Sequence, residues 1–453
     1  MRPLALLGLL ATVLAPSWAQ EDTAPFAPQA VARAASEACP LVEGIVGRTF
    51  LAAPEVLSIG REELREVLAR DRGSAGQPAE GELDRTILSI EAETTAAKYS
   101  YAEKKIYFCR ENVEAGYAKA GFPPGQEGDY LFLLFGHEEV HALDDLAFDL
   151  AGALRRATER DALLALQALV EGHAMNVERE LARRRDVLDL FEKREALIRE
   201  VDPASPLPAI LHEALVREVV FPYVEGRAFV DWVVEHKGRA ALEGVFRGPP
   251  TTTGQILAPA RYFEDGPQGS DGPDLEAFLD LVATELGSEG WDPSRADLGA
   301  RDLALGLSDL PEETRRPLVA GFVRGRQLEL ASKASPLLER VTVVAVLFDS
   351  PQAATAMLAA GEELDRAKDE KIAGDANPAM VLKESVRSEL VLPEGAKGYA
   401  RLRRVQLFGS DQRIYSAAMA SGRAVIEIAS TNLSAVEERV PAVLDRLARV
   451  RQE

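Results

Sequence analysis

Histidine and cysteine are scarce in this chain: five and two residues among 453. With one cysteine pair, Cys39 in "SEACPLVEG" and Cys109 in "KIYFCRENV", an exported chain can close at most a single disulfide, and two separately buried thiols are the alternative. Basic residues are also in deficit, 52 against 73 acidic ones. That balance argues against nucleic acid or an anionic membrane surface as a partner, because both are repelled at long range. Glycine-rich phosphate loops and a Gly-x-Ser-x-Gly elbow are absent, so nucleotide chemistry and serine hydrolysis have no support. Aromatic residues make up only 6%. The bias toward Ala, Leu, Arg, Gly and Glu reads as a helix-rich protein.

Long apolar runs are missing too, apart from "MRPLALLGLLATVLAPSWA" at the start. One arginine, an apolar run from Leu4 to Leu14 and small residues at Ser17 and Ala19 read as a cleaved secretory leader over 1–19. The run is shorter than the roughly 20 residues that span a bilayer. The expected product is periplasmic or secreted, without membrane insertion once the leader is gone. Removing Arg2 with the leader takes the net charge from −21 to −22.

The length suggests at least two domains. Residues 20–40 read as a flexible segment. Helical spacing follows at 61–71, and "AAKYSYAEKKIYFCRE" (96–111) alternates around a polar turn as a hairpin does. Helices are expected over the segment from 129, over 159–185 and over 208–238, the last broken near Pro222. Residues 247–263 read as an irregular loop. From about 335 the texture changes to strand (340–349), helix (351–371), antiparallel strands (399–430) and an amphipathic helix (432–450). The expected fold is α+β: a mainly helical domain over 41–334 with a small β-hairpin, then an α+β sandwich over 335–453.

The chemistry concentrates in "DYLFLLFGHEEVHALDDLAFDL", residues 129–150. On a helix, residues four apart differ by about 40° and 6 Å, so His137 and His141 project from one face and can grip one metal ion. Glu138, next to that face, can take a proton from water without being a ligand. Two imidazoles and a carboxylate with a fourth position open suit zinc, which brings the pKa of its water toward neutrality. With histidine this rare, a chance occurrence of the spacing is on the order of one per cent.

The third ligand has two candidates, since "ALVEGHA" offers Glu171 and its echo "FPYVEGRA" offers Glu225. Glu171 lies 30 residues beyond His141, a distance that one antiparallel helical return spans; Glu225 lies 84 beyond it, which suits a supporting carboxylate better. Gly172 lets its helix approach a neighbour closely. His173 points away from Glu171 and reads as a polar histidine, while His212 and His236 lack ligand spacing.

"HEEVHALDD", "ALVEGHA", "FPYVEGRAFV" and "PPTTTGQILAPARY" together resemble a family of exported bacterial metallopeptidases of the gluzincin type, similar in site plan to thermolysin-like enzymes. The resemblance spans about 45–265. It implies one zinc held by His137, His141 and Glu171, with Glu138 as general base. Two departures stand out. The aspartate that such enzymes carry four residues after the glutamate ligand is Met175 here, so Asp144 or Asp145 is expected to orient a histidine instead. The histidine that often precedes the proline of the last motif is Ala258. Tyr223 and Tyr262 are candidate phenol donors to an oxyanion, or else packed aromatics.

The expected activity is zinc-dependent hydrolysis of peptide bonds in a peptide or protein substrate. Two alternatives use the same residues: a non-catalytic metal-binding scaffold working through its C-terminal domain, and hydrolysis of a non-peptide amide or ester.

Overall fold

The computed structural model describes residues 25–76, 82–199, 209–265, 275–286, 290–335, 339–374, 380–407 and 409–450. The expected leader at 1–19 lies outside them, as does the side chain of His212. Among the described residues no helix is long and apolar enough to cross a membrane. The protein is α+β, with one three-stranded and one seven-stranded sheet among the described residues, and it divides into two compact units.

The first unit comprises residues up to 156 and 168–231. Its elements begin with α1 (Pro28–Val46), β1 (Val56–Ile59), α2 (Arg61–Ser74), α3 (Glu82–Thr94), β2 (Ala97–Ser100), β3 (Lys105–Cys109) and α4 (Arg110–Lys119). There follow α5 (Glu127–Phe148), α6 (Leu150–Arg156), α7 (Arg160–Arg185), α8 (Leu188–Arg199) and α9 (Ala209–Lys237), the long helices α7 and α9 each having one end assigned to the other unit. Helix α1 corrects the expectation of a flexible segment over 20–40 for residues 28–40, while 20–24 lie outside the described residues. Pro28 sits in its first turn, where no N–H is needed, and Gly47 ends it at φ 76° with its N–H on Glu43 O. Pro222 is accommodated inside α9, which continues through it.

The expected hairpin forms: β2 pairs antiparallel with β3, Tyr99 opposite Ile106, and β1 joins β3 in parallel to give the order β1-β3-β2. Helix α5 is buried on all sides from Tyr130 to Asp145, as a helix with an apolar approach and no solvated face must be. Around it α1, the sheet and α7 supply one core, with Phe108, Phe132, Phe135, Val140 and Leu181 at or near zero exposure.

The expected Cys39–Cys109 disulfide is corrected, because both thiols are free. Cys109 is buried with Ile59, Leu64 and Leu88 beneath α2 and α3. Cys39 is half-buried on α1, where burial and the charges of Glu139 and Glu43 push its thiol up to about 11.

The second unit comprises 157–167 and residues from 232 onward. It contains α10 (Ala241–Arg247), α11 (Thr253–Leu257), α12 (Pro259–Asp265), α13 (Leu275–Leu286), β4 (Trp291–Leu298), α14 (Ala300–Gly306) and α15 (Glu312–Gly321). Then come β5 (Phe322–Ser332), β6 (Arg340–Phe348), α16 (Pro351–Gly374), β7 (Met380–Glu389), β8 (Ala396–Leu407), β9 (Ser410–Ser421), β10 (Ala424–Thr431), α17 (Ser434–Glu437) and α18 (Val440–Val450). The strands form one antiparallel sheet in the order β4-β5-β6-β10-β9-β8-β7. Alternation along β6 sends Val341, Val343, Ala345 and Leu347 to the α13 and α18 side, and Val346 and Phe348 to the α16 side.

Two expectations change here. The boundary at 335 falls between β5 and β6, which are hydrogen-bonded neighbours, so it divides no domain. The expected loop over 247–263 contains the short helices α11 and α12, the first opened by a capping box in which the Thr252 side chain accepts from Gln255 N.

Candidate metal centre

Two helices of the first unit build the site. On α5, His137 and His141 are 4% and 2% exposed, with ring centroids 4.8 Å apart. On α7, Glu171 reaches both: its Oε2 lies 3.2 Å from His137 Nε2 and 3.4 Å from His141 Nε2. Close helix approach depends on glycine. A Cβ at Gly136 would stand 2.4 Å from Leu181 Cδ1 of α7. A Cβ at Gly172 would stand 2.2 Å from the backbone of Gly226, and one at Gly226 would stand 2.0 Å from Ala168 O. The echo between "LVEGHA" and "YVEGRA" is therefore the α7–α9 crossing, where each helix presents its glycine to the other's backbone.

Second contacts fix the imidazole of His137. Its Nδ1 lies 3.1 Å from Glu178 Oε2, and Glu178, fully buried, also accepts from Arg194 at 2.7 Å. Glu178 is seven residues past Glu171, two turns along the same face of α7. A proton on Nδ1 donated to Glu178 leaves the lone pair of Nε2 facing the Glu171 carboxylate, an arrangement that calls for a cation or a proton between them. Burial works against a charged His137, but hydrogen bonds to Glu171 and Glu178 outweigh it and push the group up to about 9. Glu171 is likewise held well below the usual carboxylate range: burial raises it, and the two histidines lower it further. His141 Nδ1 is buried with no partner among the described residues.

This donor set fits a metal ion. His137, His141 and Glu171 each offer one ligand atom within 4.8 Å of the others, the only such group among the described residues. Tetrahedral ligands about 2.0–2.1 Å from zinc stand about 3.3 Å from one another, and the two Nε2···Oε2 separations of 3.2 and 3.4 Å match that spacing. Glu225 is not in the group; it is half-buried on α9, where burial raises its carboxyl and Arg199 lowers it.

Around the triad, Glu138 is 6% exposed and accepts the backbone N–H of Tyr99 at its Oε2, 2.6 Å away. Tyr99 is on β2, the edge strand, and its outward N–H is satisfied by this carboxylate. Tyr223 stacks on His137 with centroids 6.2 Å apart and planes 22° from parallel. Its phenol is raised well above its ordinary value, by the Glu171 charge first and by burial second. A second phenol was not anticipated from the sequence. Tyr101, in the β2–β3 turn, lies edge-on to Tyr99, and burial followed by the charges of Glu171 and Glu138 raises it strongly.

The orienting roles expected of Asp144 and Asp145 are corrected. Asp144 accepts from Arg48 at 3.2 Å and meets His173 Nδ1 at 2.7 Å, so its histidine is not one of the triad. Asp145 accepts the Tyr99 hydroxyl and Leu150 N, each at 3.0 Å, and pairs with Lys104, which pins the hairpin to α5. Among the second-unit residues, Tyr262 donates its hydroxyl to Gly248 O at 2.5 Å, and the exposed His236 uses Nδ1 on Trp232 O.

Comparison with protein-family models and with curated sequences gives no match. Among solved structures, a candidate hydrolase with a novel fold from Chloroflexus aurantiacus is 19% identical, covering 55% of this chain and 93% of its own, at a TM-score of 0.38. The extracellular domain of PknH from Mycobacterium tuberculosis is 14% identical over 41% of this chain and 100% of its own, with a TM-score of 0.26. An uncharacterised protein from Mycobacterium smegmatis is 10% identical over 38% of this chain and 94% of its own, with a TM-score of 0.20. Likenesses this low assign neither a fold nor an activity.

Proposed function

We propose that the protein is an exported zinc hydrolase acting on peptide bonds. The observation that carries the reading is the convergence of His137 Nε2 and His141 Nε2 on one oxygen of Glu171, with the buried Glu138 beside them and outside the ligand set. When bound, the cation polarises a carbonyl and makes water acidic enough to lose a proton near neutral pH. Glu138 receives that proton. Tyr99 N–H holds its Oε2, and no described residue bonds its Oε1, the oxygen available for the transfer. The water oxygen forms a bond to the carbonyl carbon, and Glu138 then passes the proton to the nitrogen as the C–N bond breaks. Tyr223, whose ring stacks on that of His137, would donate its hydroxyl to the developing oxyanion. The acidic chain and its expected leader agree with a protein partner outside the cytoplasm rather than a polyanion.

Purified protein is expected to hold close to one zinc per chain, measured by elemental analysis, and to cleave members of a varied peptide library. His137→Ala should lose the zinc. Glu138→Gln should keep it and lose cleavage. Full zinc in His137→Ala, or undiminished turnover in Glu138→Gln, overturns the reading.

A further inference from the structure

The β2–β3 hairpin beside the site carries three lysines, and two are paired with carboxylates: Lys104 with Asp145, and Lys105 with Glu55 at 2.9 Å. Lys98 is not. No carboxylate of the described residues lies within ion-pair distance of its ammonium, which instead sits 4.7 Å from the centroid of the Tyr101 ring. Tyr101 packs edge-on against Tyr99, with ring centroids 5.6 Å apart, and Tyr99 N is the group that holds Glu138. The hydroxyl of Tyr101 has no hydrogen-bond partner among the described residues. Lys98 and Tyr101 are both half-buried, so neither is free in bulk water nor closed off from a ligand.

An acidic chain with 73 carboxylate side chains has left this one hairpin ammonium without a counter-ion, held on an aromatic face one tyrosine away from the general base. The ring stabilises the cation and fixes its position but neutralises none of its charge. The Tyr101 O–H, kept protonated first by burial and then by the charges of Glu171 and Glu138, remains a donor. An ammonium over the ring and the phenol donor of that same ring are together complementary to a carboxylate, which accepts at both oxygens.

We infer that Lys98 and Tyr101 form a carboxylate receptor at the edge of the metal site, so that the preferred substrate is a peptide with a carboxylate close to the bond that is cut. The inference rests on the peptidase reading and names the substrate class of that site. The carboxylate has two sources, a free C-terminus or an acidic side chain, and the same chemistry binds both.

The test uses zinc-loaded Glu138→Gln protein, in which binding is read without turnover. Three N-acetylated peptides of one sequence are titrated by calorimetry: the free acid, its C-terminal amide, and the amide with one Gln replaced by Glu. One or both carboxylate forms should bind at least roughly fivefold more tightly than the neutral amide, and which does so identifies the source. Adding Lys98→Met, which keeps an apolar stem on the ring and deletes the charge, should erase that difference with zinc content unchanged. Equal affinity for all three peptides, no binding of any, or a preference that survives Lys98→Met overturns the receptor. Zinc content and wild-type cleavage, measured on the same preparations, bear on the hydrolase reading alone. Cleavage without carboxylate preference therefore sinks this inference and spares that one.

Discussion

Each unit buries a cluster of charged side chains, and the two clusters are built on opposite plans. In the sheet unit, Arg401 and Arg403 of β8 face Asp365 and Asp369 of α16: Arg401 reaches Asp369 Oδ2 at 2.5 Å, and Arg403 reaches Asp365 Oδ1 at 2.9 Å and also bonds Asp369. Tyr399 and Ser385 add donors at 3.2 and 2.7 Å. Two cations meet two anions, so the charges balance within the set. In the helical unit, the one guanidinium, Arg194, pairs with Glu178 alone among the described residues, and two imidazoles turn their Nε2 atoms to one oxygen of Glu171. That set leaves negative charge and lone pairs pointed at one place. A balanced set fastens a helix to a sheet, whereas an open set around a point is arranged for something that arrives from outside.

Cutting each cluster tests the contrast, and the largest effects are expected here. Glu171→Ala should lower zinc affinity by orders of magnitude and leave the sheet unit folded. Glu225→Ala, on the echo motif, should keep the metal, because its carboxylate is outside the ligand group. Asp369→Ala should do the reverse of Glu171→Ala: zinc retained, and stability reduced by about 3–5 kcal/mol, since two buried guanidinium groups lose a partner. A chelator titration and a urea denaturation of all three variants decide it. If Asp369→Ala releases zinc, or Glu225→Ala does, the assignment of the two clusters fails.

A smaller effect is expected at Glu178, which touches His137 and not the ligand position. Glu178→Gln keeps the shape and an acceptor for His137 Nδ1 but removes the charge that balances Arg194. Zinc affinity should fall on the order of tenfold, the usual cost of disturbing a group that orients a metal-binding histidine. Unchanged affinity would mean that His137 needs no such partner.

Much of the site was legible because it is local. The four-residue spacing of His137 and His141, and the 30-residue return to Glu171, both follow from helix geometry. The residue that orients His137 was not read, although its position seven residues past Glu171 puts it on the same face. The expectation went instead to Asp144 and Asp145, which are nearer in sequence but are taken by His173, Arg48, Tyr99 and Lys104. Tyr101 was hidden for another reason: a turn residue carries no periodicity, and only tertiary packing brings it to the site. In the sheet unit β6, β8, β9 and β10 are readable from their apolar alternation, while the inner strand β5 and the two edge strands are not among the expected strands. Strand β4, "WDPSRADL", contains Pro293 and is largely exposed, and β7, "MVLKESVRSE", is charged and exposed along most of its length. Edge strands are protected from further pairing by such residues, so their sequences resemble loops. With neither β4 nor the inner strand β5 expected, the boundary at 335 falls inside the sheet.

The smallest expected effect concerns Asp161, a charge of the sheet unit that belongs to no balanced set. Its Oδ1 accepts from Thr253 at both Oγ1 (2.6 Å) and N (3.2 Å), while Asp297 and Asp302 lie close enough to repel it. Burial is the main reason its carboxyl is pushed up to about 7; the two aspartates add to the shift and the Thr253 bonds oppose it. With an unfolded value of 3.8, the folded protein binds the extra proton between about pH 4 and 7. Stability from this group is therefore complete below that window and is lost as the pH rises through it. Asp161→Asn keeps an acceptor for Thr253 and removes the titration. Because Asp161 is only partly buried, the gain over wild type at pH 7.5 should be no more than about 1 kcal/mol, with none at pH 4. Urea midpoints at both pH values measure it, and an equal difference at the two would show that the carboxyl does not titrate in this range.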